Sequence, residues 1–302
     1  MASVWGNLLA LLLWPGLASG VILGWFYLWL VRKLTARLQG RRGPFFYQPF
    51  FDFVKLLGKQ TLLPGGISRA MFYGLPLAAL LSTLFALALI PVPGNPITSF
   101  AGDLIVLIYL LEMPALIEVL AGYSSRSLYG QVSAAREALL SLGYNLPMLA
   151  AVIALAMHVG TFSLRELAAA PPSWVHLLAA VAFLLAIPAR LKINPFSIPN
   201  AEQEIVAGAH TEFNGVPLAL FELGHALELV ALLALFAVLF VPPVGSLLAG
   251  LGLYLLVSLA LVALVALLGA ATARVKVNQA FRFYWSWGAL AAVVVAALVM
   301  MG

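Results

Sequence analysis

The chain has no cysteine and very little charge. Of its 302 residues only 9% are Asp, Glu, Lys or Arg, against 64% hydrophobic. Without cysteine it forms no disulfide and holds neither a thiolate zinc site nor a Cys-ligated iron–sulfur cluster. A soluble domain carries about 25% charged residues, so there is too little charge here to cover a water-facing surface. Period-two alternation is missing, and the apolar runs are far too long for strands. The net charge of +5 comes without a basic tail, which excludes a nucleic-acid face. No nucleophile–His–acid set, Gly-rich phosphate loop or Rossmann fingerprint appears. An all-α polytopic membrane protein remains, in keeping with a mean hydropathy of +1.06.

A span needs about 20 mostly apolar residues. On that measure 1–302 form one transmembrane domain of about eight helices: 5–31, 70–92, 101–122, 138–160, 174–190, 216–241, 246–271 and 284–301. The first is too long for a signal peptide and lacks its basic leader, so it reads as a retained span. There is no internal repeat of the inverted-transporter kind. With the N-terminus outside, every Lys and Arg except Arg165 falls in or beside the loops 32–69, 123–137, 190–215 and 272–283. The positive-inside rule makes those loops cytoplasmic and puts both termini on the outer side of a prokaryotic cell membrane.

The first of these loops reads "ARLQGRRGPFFYQPFFDFVKLLGKQ". After the break at Gly43-Pro44, Phe46, Phe50, Phe53, Val54 and Leu57 recur at helical spacing, with Asp52, Lys55 and Lys59 between them. This predicts an amphipathic helix in the membrane interface, with Arg37, Arg41 and Arg42 upstream, serving as a lipid-surface helix, a docking rim or both. A second unusual stretch is "NPFSIPNAEQEIVAGAHTEFNG", 194–215. Pro199 can open a short helix with Asn200 in its first turn, and Glu202 and Glu204 suit that helix's N-terminus. His210 follows, and Glu212 stands at the entry to the next span. Capping and a solvated acidic face explain these residues as well as partner contact or proton entry does.

Glu112, Glu118, Glu222, His225 and Glu228 fall inside apolar spans. Each ionisable residue near a helix centre costs about 2.5–3.5 kcal/mol on insertion scales, so it should face the bundle interior or water. Arg136 and Glu137, at the mouth of the fourth span, could pair with them. A metal site would need a second Glu-x-x-His element beside Glu222–His225, and the sequence has none, which argues against a metal. Interhelical hydrogen bonding alone is a further reading. A proton path, or coupling through buried charge, leads.

The quoted stretches, together with "SAAREAL" and "ATARVKVNQAFRFYW", resemble in order and spacing the membrane subunit that joins the two arms of respiratory complex I and of energy-converting [NiFe]-hydrogenases. The resemblance covers nearly the whole chain. It departs at Ser197 and Asn200, where the family has Asp and Glu, and at Asn145, where a Glu is frequent; Arg136, Glu137, Glu202, Glu204 and Glu212 match. The first loop and "SAAREAL" look more like the hydrogenase branch. The resemblance implies a membrane anchor and coupling subunit that docks a peripheral electron-transfer module and links it to proton or sodium translocation. Partners would be [NiFe]-hydrogenase-like large and small subunits, an iron–sulfur subunit and antiporter-like membrane subunits. They would carry the [NiFe] centre and iron–sulfur clusters, with no cofactor on this chain. A quinone-binding subunit of a complex I-like oxidoreductase and a stand-alone ion transporter are the alternatives.

Overall fold

The computed structural model of the protein describes residues 2–97 and 99–301, which are helical with no strand among them. Among the described residues six helices are long and apolar enough to cross a membrane. The first is not the single span expected over 5–31. Ala2–Leu12 (α1) stops before Pro15, and Leu17–Leu38 (α2) begins after Gly16. Pro15 has no N–H to donate and its ring crowds the preceding turn; the chain recovers through Gly16 N–H to Ala10 O at 2.9 Å.

Gln48–Leu57 (α3) is the expected amphipathic helix. Arg69–Leu89 (α4), Asp103–Ser124 (α5) and Leu128–Val159 (α6) follow. Because α6 starts at Leu128, most of the loop expected over 123–137 is helix, and "SAAREAL" forms part of α6. After Leu164–Ala169 (α7) and Trp174–Arg190 (α8) comes an irregular insert over 191–214, holding only the four-residue helix Glu202–Ile205 (α9) and a 3-10 turn, Gly208–His210. Asn200 therefore lies outside the short helix expected to begin at Pro199. Gly215–Phe240 (α10), Leu247–Ala271 (α11) and Val277–Phe283 (α12) complete the chain with Ala289–Met301 (α13), entered through a π turn at Tyr284–Gly288. Of the eight expected spans, 174–190 and 284–301 thus appear as shorter helices, α8 and α13.

α10 is the axis of the bundle. Beyond Glu228 it is apolar all round, which marks a helix enclosed on every side, and each residue from Ala226 to Leu239 is buried. α2, α3, α4, α8 and α11 pack against it. At Gly24 the backbones of α2 and α10 approach so closely that an added Cβ would lie 2.6 Å from Ala226 O.

α8 ends part-way through the bundle. Its last residue, Arg190, reaches Glu112 and the Leu111 carbonyl half-way along α5 and Glu228 half-way along α10. The chain then returns to the face carrying the insert as irregular backbone. At membrane depth such backbone survives only where protein or an aqueous cavity satisfies its polar groups. Here Ser133 Oγ donates to Pro199 O (2.8 Å), Arg136 to Ile198 O (3.4 Å) and Val275 N–H to Pro195 O (3.0 Å). Gly208, at φ +58°, is held against Pro199 O and Ser133, where a Cβ would sit 2.5–2.6 Å from both.

Gly24→Ala is expected to destabilise the bundle by about 1–3 kcal/mol through overpacking, whereas Gly74→Ala, with no atom within 4 Å of the new Cβ, is expected to be neutral. Thermal unfolding in detergent compares the two, and equal melting would contradict the close α2–α10 approach.

Candidate functional site: a buried row of charge

Two cations and four carboxylates meet inside the bundle. Arg190, 2% exposed, is ion-paired to Glu112 and lies 3.3 Å from Glu228. Its guanidinium stands 5.7 Å from the Tyr144 ring centroid. Asn145 Nδ2 donates to the other oxygen of Glu112 at 2.7 Å. Two residues on, Lys192 is ion-paired to Glu118 and lies 3.9 Å from Glu137, which also accepts from Tyr144 Oη at 3.4 Å. Lys192 turns its backbone to φ +52° after the end of α8. His225 Nδ1 is 3.9 Å from Glu228.

The carboxylates come from three helices, α5, α6 and α10, and the cations from the broken end of α8. Isolated buried ions cost several kcal/mol each, and close pairing recovers that only where hydrogen bonds satisfy the remaining positions. Charge balance has a chemical consequence. Four carboxylates against two cations leave two negative charges in excess when all are ionised.

Of the residues expected in the membrane, Glu112, Glu118, Glu137 and Glu228 join the row, with His225 at its edge. Glu222 does not. It is exposed at a groove beneath α3, because three-residue steps along α10 rotate away from the face turned towards Arg190. Arg136 also departs from expectation. It pairs with Glu204 at 2.6 Å, and Arg274 meets the same carboxylate at 3.0 Å. The Arg136 hydrogen bond and charge, reinforced by Arg274, hold the Glu204 carboxyl below the usual carboxylate range.

Arg190 and Lys192 are the members of the row that sequence reasoning misses, because in sequence they look like ordinary loop cations. A 17-residue apolar run ending in Arg is the available signal, since it falls short of a membrane's thickness.

Between the row and the insert face lies a cavity of 540 Å³ lined by Lys192, Asn194, Ser197, Asn200, Glu202, Gln203 and Arg274. Every lining side chain is polar. His210 stacks on Phe221 at 4.6 Å with its Nε2 buried and unpartnered. Glu202 is exposed and Glu212 half-buried. Arg37, Arg41 and Arg42 are exposed; Lys33 and Trp29 fix the Gly43-Pro44 carbonyls, and Asp52 pairs with Arg32 at 3.5 Å.

Residues 12–301 match the family described as NADH dehydrogenase. The chain belongs to that family. It is 32% identical over 276 residues to an NADH-quinone oxidoreductase subunit of Syntrophotalea carbinolica, covering 84% of this chain and 83% of that one. It is 29% identical to the corresponding NADH-quinone oxidoreductase chain of Methylococcus capsulatus, over 89% of both. Among solved structures it resembles a chain of the membrane-bound sulfane sulfur reductase, an archaeal respiratory membrane complex. That match has a TM-score of 0.88 and 29% identity, and covers 99% of this chain and 100% of the other. The family's membrane-embedded, multi-pass architecture and its complex I kinship agree with the resemblance read from the sequence.

Two outcomes follow. Arg190→Met is expected to cost about 3–5 kcal/mol by stranding Glu112 and Glu228, and adding Glu112→Gln should recover part of it. Additive losses in detergent unfolding would mean that the two do not form a pair. The second concerns pH. Burial pushes the His210 imidazole below its ordinary value; nearby Glu118 opposes the shift and Lys192 adds to it. A depressed base is neutral in the fold while the unfolded segment takes up a proton. The insert should therefore be most stable above about pH 6.5 and open more readily as pH falls below it. Hydrogen exchange over 208–214 should show this in the wild type and lose it in His210→Gln.

Proposed function

We propose that this chain is the membrane anchor and coupling subunit of a multisubunit, complex I-like respiratory complex of the energy-converting hydrogenase type. The observation that carries this reading is the buried charge row, reached from the insert face by a wholly polar cavity. A peripheral module seated on that face contacts Glu202, Glu204 and the Arg37–Arg42 segment, and its redox state acts on the insert. Lys192 stands at the start of the insert, so movement of the insert changes the pairing of Lys192 with Glu118 and Glu137. Protons, or sodium ions, then enter or leave the row. Electrons run through metal centres in partner subunits, expected to be a [NiFe] centre and iron–sulfur clusters, with the insert face cytoplasmic and antiporter-like subunits alongside.

Two features favour the hydrogenase branch. The cavity has no apolar wall to hold an isoprenoid tail, and Ser197 and Asn200 stand where acidic residues are usual in the family. The full-length likeness to a sulfur-reducing complex agrees with an acceptor other than quinone. The names of the NADH-quinone oxidoreductase relatives favour the quinone branch instead. A stand-alone transporter is supported by none of these relatives, which are subunits of larger complexes.

The deciding measurement is the nickel content of the gently solubilised complex with its peripheral subunits intact. Nickel stoichiometric with the chain is the expected result; its absence would favour the quinone branch. Within either branch, Glu137→Gln and Glu228→Gln should reduce ion translocation more than electron transfer by the peripheral module. Glu212→Gln, at the entry to α10, should impair coupled turnover. If translocation and electron transfer fell together, the row would be structural.

A further inference from the structure

The end of the bundle opposite the insert carries two histidines that the charge row does not use. α6 touches the insert through Ser133 and Arg136 and runs from there to Val159 at the opposite end. His158 stands exposed in its last turn. α8 begins at that same end, and His176 occupies its first turn with only 6% of its surface exposed. The two helices pack against each other and bring the imidazole rings to 6.3 Å between centroids, with their planes at 85°.

One ring nitrogen of His176 is accounted for and the other is not. Ser173, which caps α8, lies against Nδ1, with its Oγ at 2.8 Å and its backbone nitrogen at 3.2 Å. Nε2 is buried and has no hydrogen-bond partner among the described residues. A buried polar atom without a partner carries an uncompensated desolvation cost, and here a second imidazole stands beside it. We propose that His158 and His176 together hold a late first-row divalent cation, Zn²⁺ or Cu²⁺. Nε2 of His176 and a ring nitrogen of His158 are the protein ligands, and water fills the remaining positions.

The donor set selects the ion. Imidazole suits zinc and copper, whereas Mg²⁺ and Ca²⁺ take oxygen ligands. No third His, Asp or Glu joins the pair among the described residues, so affinity rests on two neutral nitrogens and follows the order Cu²⁺ above Zn²⁺. Two imidazoles on one ion, each nitrogen about 2 Å from it, have centroids about 5–6 Å apart. The 6.3 Å separation lies just beyond that range, and a small turn of the exposed His158 side chain closes it. Ser173 supplies the outer partner: a metal-bound imidazole donates its second ring N–H, here Nδ1–H to Ser173 Oγ. A bound ion ties the far end of α6, which carries Glu137, to the far end of α8, whose other end presents Arg190. This inference does not depend on which acceptor the complex uses.

The test uses the intact, oxidised complex, purified on a tag without histidine and titrated with Cu²⁺ alone. Pulsed electron paramagnetic resonance counts the imidazoles on copper, and subtracting the spectrum of a variant removes copper held elsewhere in the complex. The wild type should show a copper signal with two imidazoles that His158→Ala and His176→Ala each abolish. Ser173→Ala should weaken it about 10-fold in affinity. Zn²⁺ should displace the signal, and should raise the melting temperature of the wild type more than that of His158→Ala, since an ion bound only to the fold stabilises it. Mg²⁺ should do neither. No two-imidazole signal in the wild type, or one of equal size in both histidine variants, would overturn the proposal and leave two rings that merely touch. His176→Ala also loses the contact to Ser173; should it fail to assemble, His158→Ala, which alters an exposed side chain, decides the matter alone.

Discussion

Two positive charges in the middle of an apolar bundle impose the organisation of this protein. Arg190 and Lys192 cannot stay there alone, since the desolvation of each costs several kcal/mol. Compensation has to come from neighbouring helices, and it comes from three: Glu112 and Glu118 on α5, Glu137 on α6 and Glu228 on α10. Satisfying both cations at once fixes the rotation of α5, α6 and α10 about their own axes. It also requires α8 to stop half-way, because a continued helix would carry residue 192 away from α5 and α6. The short helix, the irregular insert and the inward carboxylates are therefore one arrangement.

The insert solves a second problem created by the first. Ending a helix inside a membrane exposes carbonyls and N–H groups that lipid cannot satisfy. α6 supplies Ser133 and Arg136 to the insert's carbonyls, and the stretch after α11 supplies the Val275 N–H. What is left open is lined by polar side chains from Lys192 to Arg274. One end of the insert is thus anchored in the charge row. Further along, Glu204 is anchored at the surface between Arg136 and Arg274.

Much of this was legible in the sequence, because expensive residues advertise themselves. A carboxylate inside an apolar run must face inward, and Glu112, Glu118 and Glu228 do. α3 was legible from its alternating faces, and the insert from its composition. Depth was not legible. Arg190 and Lys192 follow an apolar run as loop cations do, and hydropathy does not say that α8 starts so far from the insert face that its end is still inside. Rotation was illegible on α10 for a related reason: a helix apolar on all sides gives no preferred face, so Glu222 could not be told from Glu228. The Arg136–Glu204–Arg274 bridge joins residues about 70 apart, and sequence spacing carries no such signal. Pro15 and Gly16 did mark the break before α2, and tolerance of proline in membrane helices hid it.

The contrast between α10 and the insert indicates where a change of charge is absorbed. α10 is enclosed along fourteen successive residues, 226–239, and close-packed interiors resist displacement. Glu228 is mounted on that enclosed helix and Glu112, Glu118 and Glu137 on the regular helices α5 and α6, whose backbone hydrogen bonds hold them in place. Lys192 is mounted differently, on irregular backbone in a left-handed conformation at the start of the insert. It is the one charged group of the row outside regular helix. A change in the row's charge is therefore relieved by moving Lys192 and the chain beyond it. By the same reciprocity, a force applied to the insert from the surface is delivered to the row through Lys192. On the proposed reading this is the physical link between a redox event on the insert face and ion movement in the membrane.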